Sequence, residues 1–126
     1  MVECGVDLVE IERIEKAVAR LGDRFVNRVF TEEERRYARG RGPQLAARFA
    51  AKEAVAKILG TGLWREGVSW HHIEVVNDPN GKPRLRLNGE AARRAAAMGL
   101  TDWSISLSHS RGDAIAFVVA SRLSQP

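Results

Sequence analysis

Residues 48–57 read Arg-Phe-Ala-Ala-Lys-Glu-Ala-Val-Ala-Lys, and they form the centre of an alanine-rich helical pattern. Alanine, the strongest helix former, is frequent on both sides of this stretch: Ala46, Ala47, Ala50, Ala51, Ala54 and Ala56. We predict a helix over residues 44–59 that ends at Gly60-Thr61-Gly62. Its small side chains permit close packing against neighbouring elements.

The residues before this helix predict a strand and then an amphipathic helix. Residues 3–7 are β-prone, and we expect a first strand that ends at Asp7. Six apolar residues keep to one helical face at about 100° per residue: Ile11, Ile14, Val18, Leu21, Phe25 and Val29. Gly22 is positioned to break this helix into two. The opposite face carries the basic stripe, which consists of Arg13, Lys16, Arg20, Arg24 and Arg28.

A capping box marks the start of a further helix. Thr31 can cap the helix while Glu34 reaches back, which predicts a helix to about residue 39. Gly40, Gly42 and Pro43 then predict a break before the alanine-rich helix.

The second half of the chain is rich in β-structure. We predict strands over residues 73–76, 84–87, 103–109 and 114–120, a turn over 77–83 and a short helix over 90–98. The resulting order is strand, helices, hairpin, helix, hairpin. This order predicts an α+β fold in which a small antiparallel sheet packs with helices, built as a single domain over residues 1–126.

Composition restricts the class of protein. The chain has 126 residues, of which 44% are hydrophobic, and this suits one modest globular core. No stretch approaches the roughly 20 apolar residues of a membrane span, and the N-terminus does not resemble a signal peptide. Cys4 is the single cysteine, so an internal disulfide is ruled out. We expect a cytoplasmic protein that has no membrane partner.

The net charge of +4 favours an anionic partner. Five arginines lie between positions 35 and 48 without any acidic residue: Arg35, Arg36, Arg39, Arg41 and Arg48. A nucleic-acid-binding module is therefore one rival interpretation. The chain lacks a helix-turn-helix, zinc-ligand or aromatic RNA-binding signature, so we expect no nucleic-acid partner.

Two carboxylates are candidates for a metal site. Asp7 follows Gly5 in the first strand, where it could also simply cap the next helix. Glu53 lies four positions from both Phe49 and Lys57, and it could equally form an ordinary ion pair with Lys57 on a solvated face. Two carboxylates from separate elements would suit Mg²⁺, which also takes phosphate oxygens and water.

Several cations and backbone groups could bind phosphate. Lys57 could neutralise charge that develops on a diphosphate. Arg48 and Lys52 lie one turn apart on a neighbouring face, as a phosphate clamp would require. Gly60-Thr61-Gly62 offers backbone N–H groups, although a helix also ends in this way.

Three elements in a fixed order resemble a known family. Gly5-Val6-Asp7 comes first, the 48–57 segment second, and Ser106-Leu107-Ser108-His109-Ser110 third. This order is similar to that of the holo-acyl-carrier-protein synthases, the compact 4′-phosphopantetheinyl transferases. The resemblance implies a Mg²⁺-dependent enzyme that moves 4′-phosphopantetheine from coenzyme A to a serine of an acyl carrier protein. The other product would be adenosine 3′,5′-bisphosphate.

The resemblance also implies roles for individual residues. Asp7 and Glu53 would hold the metal, and Gly5 would let another chain segment or a ligand approach closely. Either Glu53 or a water would remove the serine proton. The implied coenzyme A-binding residues are Arg48, Lys57, Gly60, His109, Ser110 and the turn residues Asn80, Gly81 and Pro83. His109 could instead be a packed histidine on an apolar face, and turn geometry alone would explain Asn80-Gly81.

Assembly and docking follow from the same resemblance. Related short enzymes are trimers with the cofactor between subunits, so we expect a homotrimer. Arg13, Arg24 and Arg28 would dock the acidic carrier protein, whereas the alternative for this stripe is a solvated helix face. A catalytically idle homologue is a second rival, against which the intact Asp7, Glu53 and Lys57 argue.

Overall fold

The computed structural model describes residues 1–63 and 67–122, which form five strands and five α-helices. The helices and strands follow one another in this order: β1 (Val2–Glu10), α1 (Ile11–Leu21), α2 (Asp23–Val29), α3 (Glu32–Ala38), α4 (Gly42–Leu59), a 3₁₀ turn (Trp70–His72), β2 (Ile73–Asn77), β3 (Pro83–Leu87), α5 (Gly89–Ala97), β4 (Asp102–His109) and β5 (Asp113–Ser121). The predicted α+β class and the order of elements are confirmed.

The larger sheet has three antiparallel strands in the order β1-β5-β4. Its alternate residues face α4, and the β5 residues on that face are small: Ala114, Ala116, Val118 and Ala120 are all buried. Small side chains let the helix lie close to the strands. The strands β2 and β3 form a separate antiparallel pair, whose turn lies where the Asn80-Gly81 signal predicts it.

Helix α4 is the centre of the molecule. It contacts β1, β5, β4 and β2 as well as α1, α3 and α5. Its alanines are buried on nearly every side of the helix, which explains why this stretch has no solvated face of its own. A helix that is apolar all round is expected in the interior of a fold.

Local signals place most of the boundaries correctly. Gly22 has a φ of 60° and separates α1 from α2, as predicted. Both hydrogen bonds of the capping box at Thr31 and Glu34 are present. The predicted apolar face of α1 and α2 is correct for Ile14 and Val29, which are buried, but Leu21 is 38% exposed.

Two predicted boundaries are wrong. The first strand does not end at Asp7, because residues 8–10 continue to pair with β5 as far as Glu10 opposite Asp113. Helix α4 begins at Gly42 rather than at residue 44, because a proline is tolerated in the first turn of a helix and Pro43 lies there. Within the described residues, none of the helices is both long and apolar enough to span a bilayer.

Candidate active site

Strand β1 and helix α4 approach each other most closely at Gly5. A Cβ atom at this position would lie 2.4 Å from the carbonyl oxygen of Ala54, so only glycine fits. The predicted close approach at Gly5 is therefore present. Asp7 lies two residues farther along β1, on the same face of the strand, and it points towards α4 as a result.

Asp7, Glu53 and Lys57 form one cluster between β1 and α4, which we call the carboxylate–lysine cluster. Lys57 Nζ donates to Asp7 Oδ1 at 3.0 Å and to the carbonyl oxygen of Val6 at 2.7 Å. The Asp7 side chain is 19% exposed and that of Lys57 is 55% exposed, so the cluster opens to solvent. The alternative that Asp7 caps α1 is wrong, because the N-cap is Glu10 and no side-chain cap bond is present there.

The electrostatics of the cluster favour a bound cation. Burial raises the pKa of Glu53, the nearby Asp7 carboxylate raises it further, and Lys57 and Arg13 oppose this shift. Two carboxylates that disfavour each other's charge are stabilised by a metal ion between them. The described residues contain no group of three or more His, Cys, Asp or Glu side chains that could hold a metal, so any metal here relies on these two carboxylates. That donor set fits Mg²⁺.

Arg13 contributes to this cluster in a way that the sequence did not predict. Its guanidinium lies 5.9 Å from the centre of the Phe49 ring, one turn before Glu53 on α4. The sequence placed Arg13 on the basic stripe of α1, and spacing along α1 carries no signal of a contact with α4. Arg13 therefore connects the stripe to the cluster.

Arg48 lies on another side of α4 and does not join the cluster. Only 1% of Arg48 is exposed, and its guanidinium donates to Asn77 Oδ1 at 2.7 Å and to Gln44. The ring of Tyr37 lies 4.5 Å from the guanidinium carbon, and burial lowers the pKa of Arg48. Among the residues that the structure describes, none is a hydrogen-bond partner of its Nε. A cavity of about 320 Å³ borders this group and is lined partly by Tyr37 and Asn77. The predicted phosphate contact of Arg48 stays a prediction.

Lys52 is not available to a ligand. Its side chain is fully buried and pairs with Glu34 at 2.9 Å. The prediction that Lys52 and Arg48 form a phosphate clamp is wrong for Lys52, because protein acceptors occupy its ammonium group.

The remaining predicted coenzyme A-binding residues lie apart from the cluster. His109 is exposed at the end of β4, which β5 separates from β1, so the two strands are roughly 10 Å apart. The alternative of a packed histidine is therefore wrong. Ser110 follows in the turn, where its N–H donates to Asp113. Gly60 caps the C-terminus of α4 with a φ of 72°.

The predicted turn at Asn80 has the expected geometry. Gly81 has a φ of 89°, and its carbonyl oxygen accepts a hydrogen bond from Asn77 Nδ2. Asn80 Oδ1 accepts from the N–H of Lys82, and Pro83 begins β3. These contacts explain the turn as a hairpin connection, and a contact with coenzyme A stays a prediction.

All five residues of the basic stripe are exposed. A groove of about 800 Å³ runs beside the first part of the stripe and is lined by Arg13, Lys16 and Arg20 together with Glu12. Lys16 pairs with Glu12 at 3.2 Å on the surface. The remaining basic residues, Arg24 and Arg28, continue the stripe on α2.

Comparison with known proteins gives one consistent family. Residues 3–117 match the model of the 4′-phosphopantetheinyl transferase superfamily. The chain is 55% identical over 124 residues to a holo-acyl-carrier-protein synthase from Herpetosiphon aurantiacus, and this match covers 94% of the chain and 98% of the relative.

Two solved structures show the same architecture. A holo-acyl-carrier-protein synthase from Helicobacter pylori, in complex with coenzyme A, superposes with a TM-score of 0.84 at 32% identity and covers 94% of this chain and 99% of its own. A holo-acyl-carrier-protein synthase from Bacillus anthracis, in complex with CoA (3′,5′-ADP), has a TM-score of 0.76 at 38% identity and covers 96% of each chain.

Proposed function

The chain belongs to the 4′-phosphopantetheinyl transferase superfamily, and from that premise we propose that it moves 4′-phosphopantetheine from coenzyme A to a serine of an apo-acyl-carrier protein. Its 126 residues would act as one transferase domain. The observation that carries the proposal is the carboxylate–lysine cluster, in which a carboxylate of β1 meets a carboxylate and a lysine of α4 at an open site. The second product would be adenosine 3′,5′-bisphosphate, and the relative from Bacillus anthracis in complex with CoA (3′,5′-ADP) supports this choice.

Asp7 and Glu53 would hold a Mg²⁺ ion. When bound, Mg²⁺ would orient the diphosphate of coenzyme A and stabilise the negative charge that develops on it. Lys57 already lies within hydrogen-bond distance of Asp7, so it would compensate the charge of the two carboxylates before substrate binds.

The reaction would break the phosphoanhydride bond of coenzyme A and form a phosphodiester bond to the serine. The serine oxygen would attack the phosphorus next to pantetheine, and the bond from that phosphorus to the bridging diphosphate oxygen would break. Lys57 would donate to the leaving phosphate oxygen. The serine proton would pass either to Glu53 or to a water beside it. The raised pKa of Glu53 supports the first route, whereas metal binding would lower its basicity and favours the second.

We also propose that three chains assemble around the larger sheet. One face of this sheet packs on α4, and the opposite face presents exposed apolar side chains: Val2, Val6, Leu8, Ile115 and Phe117. A contiguous apolar patch of this kind is typical of an interface between proteins. Assembly would also bring His109 and the turn at Asn80 of one subunit towards the carboxylate–lysine cluster of a neighbour.

The assembly has a direct test. Phe117→Glu places a charge in the middle of the apolar sheet face and should shift the light-scattering mass from that of a trimer to that of one chain, with a large loss of activity. Leu21→Glu, at an exposed apolar residue on α1, is the matched control and should leave the trimer intact. A wild-type protein that is monomeric and active at nanomolar concentration would contradict the proposal.

The basic stripe would receive the carrier protein, which we expect to be strongly acidic. Complementary charges mainly accelerate encounter, so docking should weaken as salt increases. The holo carrier protein would serve fatty-acid or polyketide synthesis, and the protein would carry out this step in the cytoplasm.

One experiment tests the proposed function directly. The protein is incubated with coenzyme A, Mg²⁺ and an apo-acyl-carrier protein, and mass spectrometry detects the carrier with its added phosphopantetheine. The control reaction uses a carrier whose acceptor serine is replaced by alanine. Thermal stabilisation by nucleic acid, without any by coenzyme A and Mg²⁺, would favour the rival nucleic-acid-binding function instead.

A further inference from the structure

Lys52 and Glu34 form an ion pair in the interior of the protein. Both side chains are 0% exposed, and Lys52 Nζ lies 2.9 Å from Glu34 Oε1. The same ammonium donates to the carbonyl oxygens of Trp70, at 2.9 Å, and of Ile73. All three N–H donors of the protonated lysine therefore have acceptors. Burial lowers the pKa of Lys52, and the charge of Glu34 opposes this shift.

Both carboxylate oxygens of Glu34 also have hydrogen-bond partners. Its Oε1 accepts the N–H of Thr31 at 2.8 Å, which completes the capping box, and its Oε2 accepts the N–H of Val75 at 2.8 Å. Glu34 thus joins the first turn of α3 to β2. Lys52 adds α4 and the 3₁₀ turn, so four elements meet at one ion pair.

Stability alone does not explain this arrangement. Apolar residues of similar volume often stabilise a core as well as a buried ion pair does, because two charges must be removed from water. An ion pair differs from apolar packing in being directional, and this one adds to the directional contact that Arg48 of α4 makes with Asn77. Six of the buried residues of α4 are alanines, and such short side chains fix the rotation of a helix less firmly than longer ones do.

A small rotation would disrupt the carboxylate–lysine cluster. Side-chain atoms lie about 5–6 Å from a helix axis, so a rotation of about 20° would move them by roughly 2 Å. Lys52 directly precedes Glu53 and lies about one and a half turns before Lys57. Whatever fixes Lys52 therefore also fixes the direction of the two cluster residues on α4.

We propose that the Lys52–Glu34 ion pair is a positioning device that sets the rotation of α4, so that Glu53 and Lys57 face Asp7. The inference rests on the proposed function, because it concerns the alignment of the transferase site. A displacement of about 1 Å can reduce a reaction rate by about 100-fold. Loss of the pair therefore reduces turnover before it removes the fold.

The test removes both charges together, with Glu34→Gln and Lys52→Met in one protein. Removal of one partner alone would leave an unpaired buried charge and threaten folding. The double variant should melt cooperatively, while kcat falls by about tenfold or more and the half-saturating Mg²⁺ concentration rises by about threefold. The KM for the carrier protein should stay unchanged, because the basic stripe is intact.

A readout without turnover comes from the crystal structure of the metal-free double variant. The separation of Lys57 Nζ and Asp7 Oδ1 should exceed the 3.0 Å of the wild type. Leu59→Ala is the matched control, since it creates a cavity beside the same helix without touching the ion pair. It should keep its kcat when assayed equally far below its own Tm.

The proposal would be overturned if the double variant had the same kcat, the same Mg²⁺ dependence and the same Lys57–Asp7 separation as the wild type. If the double variant does not fold, Thr31→Ala provides the test, because it removes the hydroxyl that accepts from the Glu34 N–H and leaves the ion pair present but less firmly held. Thr31→Ala should raise the half-saturating Mg²⁺ concentration, and an unchanged value would overturn the proposal. An inactive wild-type enzyme would refute the proposed function instead, while the crystallographic separation would still test the positioning of α4.

Discussion

Gly5→Ala adds one methyl group at the point where the fold and the site depend on the same contact. The new Cβ would lie 2.4 Å from the carbonyl oxygen of Ala54 and 3.1 Å from Ile58 Cγ1. The Ala54 carbonyl belongs to the interior of α4 and cannot turn away without breaking the helix. Since ordinary van der Waals contact begins at 3.4 Å, β1 and α4 would have to separate by about 1 Å.

That separation allows two magnitudes to be estimated. Overpacking of this kind costs about 1–3 kcal/mol. For a chain of this length each kcal/mol lowers the Tm by about 4 °C, so Tm should fall by about 4–12 °C. Asp7 moves with β1, away from Glu53 and Lys57, and a displacement of about 1 Å should reduce kcat by about 100-fold. Activity should therefore be lost at temperatures where the variant is still folded.

The assay combines a calorimetric melt with initial rates of carrier modification, measured by mass spectrometry well below both melting temperatures. Gly112→Ala is the control, because within the described part of the chain no heavy atom other than those of Gly112 and its two chain neighbours lies within 4 Å of a Cβ built there. It should change neither Tm nor kcat. If Gly5→Ala retains wild-type kcat, then either β1 tolerates the methyl group or Asp7 does not need its present position, and the reasoning from close packing to catalysis fails.

Three further outcomes are expected. Asp7→Ala and Glu53→Gln should each nearly abolish transfer in Mg²⁺ while the protein stays folded, and full activity of either variant would remove the metal assignment. In the metal-free protein, Glu53→Gln should be more stable than the wild type at neutral pH, because the raised pKa of Glu53 means that its contribution to stability is present at low pH and is lost as pH rises through that pKa. Urea titrations should show that the difference in unfolding free energy between the two proteins disappears as the pH falls towards 4.5, the ordinary pKa of a glutamate. A difference that does not depend on pH would contradict this expectation. Replacement of both Arg13 and Arg24 by glutamate should raise the KM for the carrier about tenfold, equivalent to about 1.4 kcal/mol, with coenzyme A affinity unchanged. If this double variant modifies the carrier normally at low salt, the docking surface lies elsewhere. Arg93→Glu on α5 is the control.

The elements of the fold were predictable because their signals are local. The capping box at Thr31, the break at Gly22 and the turn at Asn80-Gly81 each depend on residues within four positions of one another. The strand boundary at Asp7 failed for the opposite reason. Residues 8–10 extend β1 because β5 lies beside them, and no local pattern reports the length of a distant partner strand.

The site was predictable only where two elements meet face to face. Helical spacing placed Glu53 and Lys57 together, and Gly5 predicted the close approach that brings Asp7 to them. Spacing does not say what a helix face contacts, however. Lys52 was expected to bind phosphate together with Arg48, whereas Glu34 supplies its acceptor in the interior.

Packing within a single chain does not fully account for the apolar pattern of the last strand. Residues 114–120 form an almost continuous apolar run, which is typical of a strand covered on both faces. In one chain only the alternate residues from Ala114 to Ala120 are buried, while Ile115 and Phe117 are 38% and 46% exposed. The pattern therefore implies a second covering layer, and within the described residues no helix supplies it. A neighbouring copy of the same sheet would cover this face, and such an arrangement would account for both the apolar run and the separation of His109 from the carboxylate–lysine cluster within one subunit.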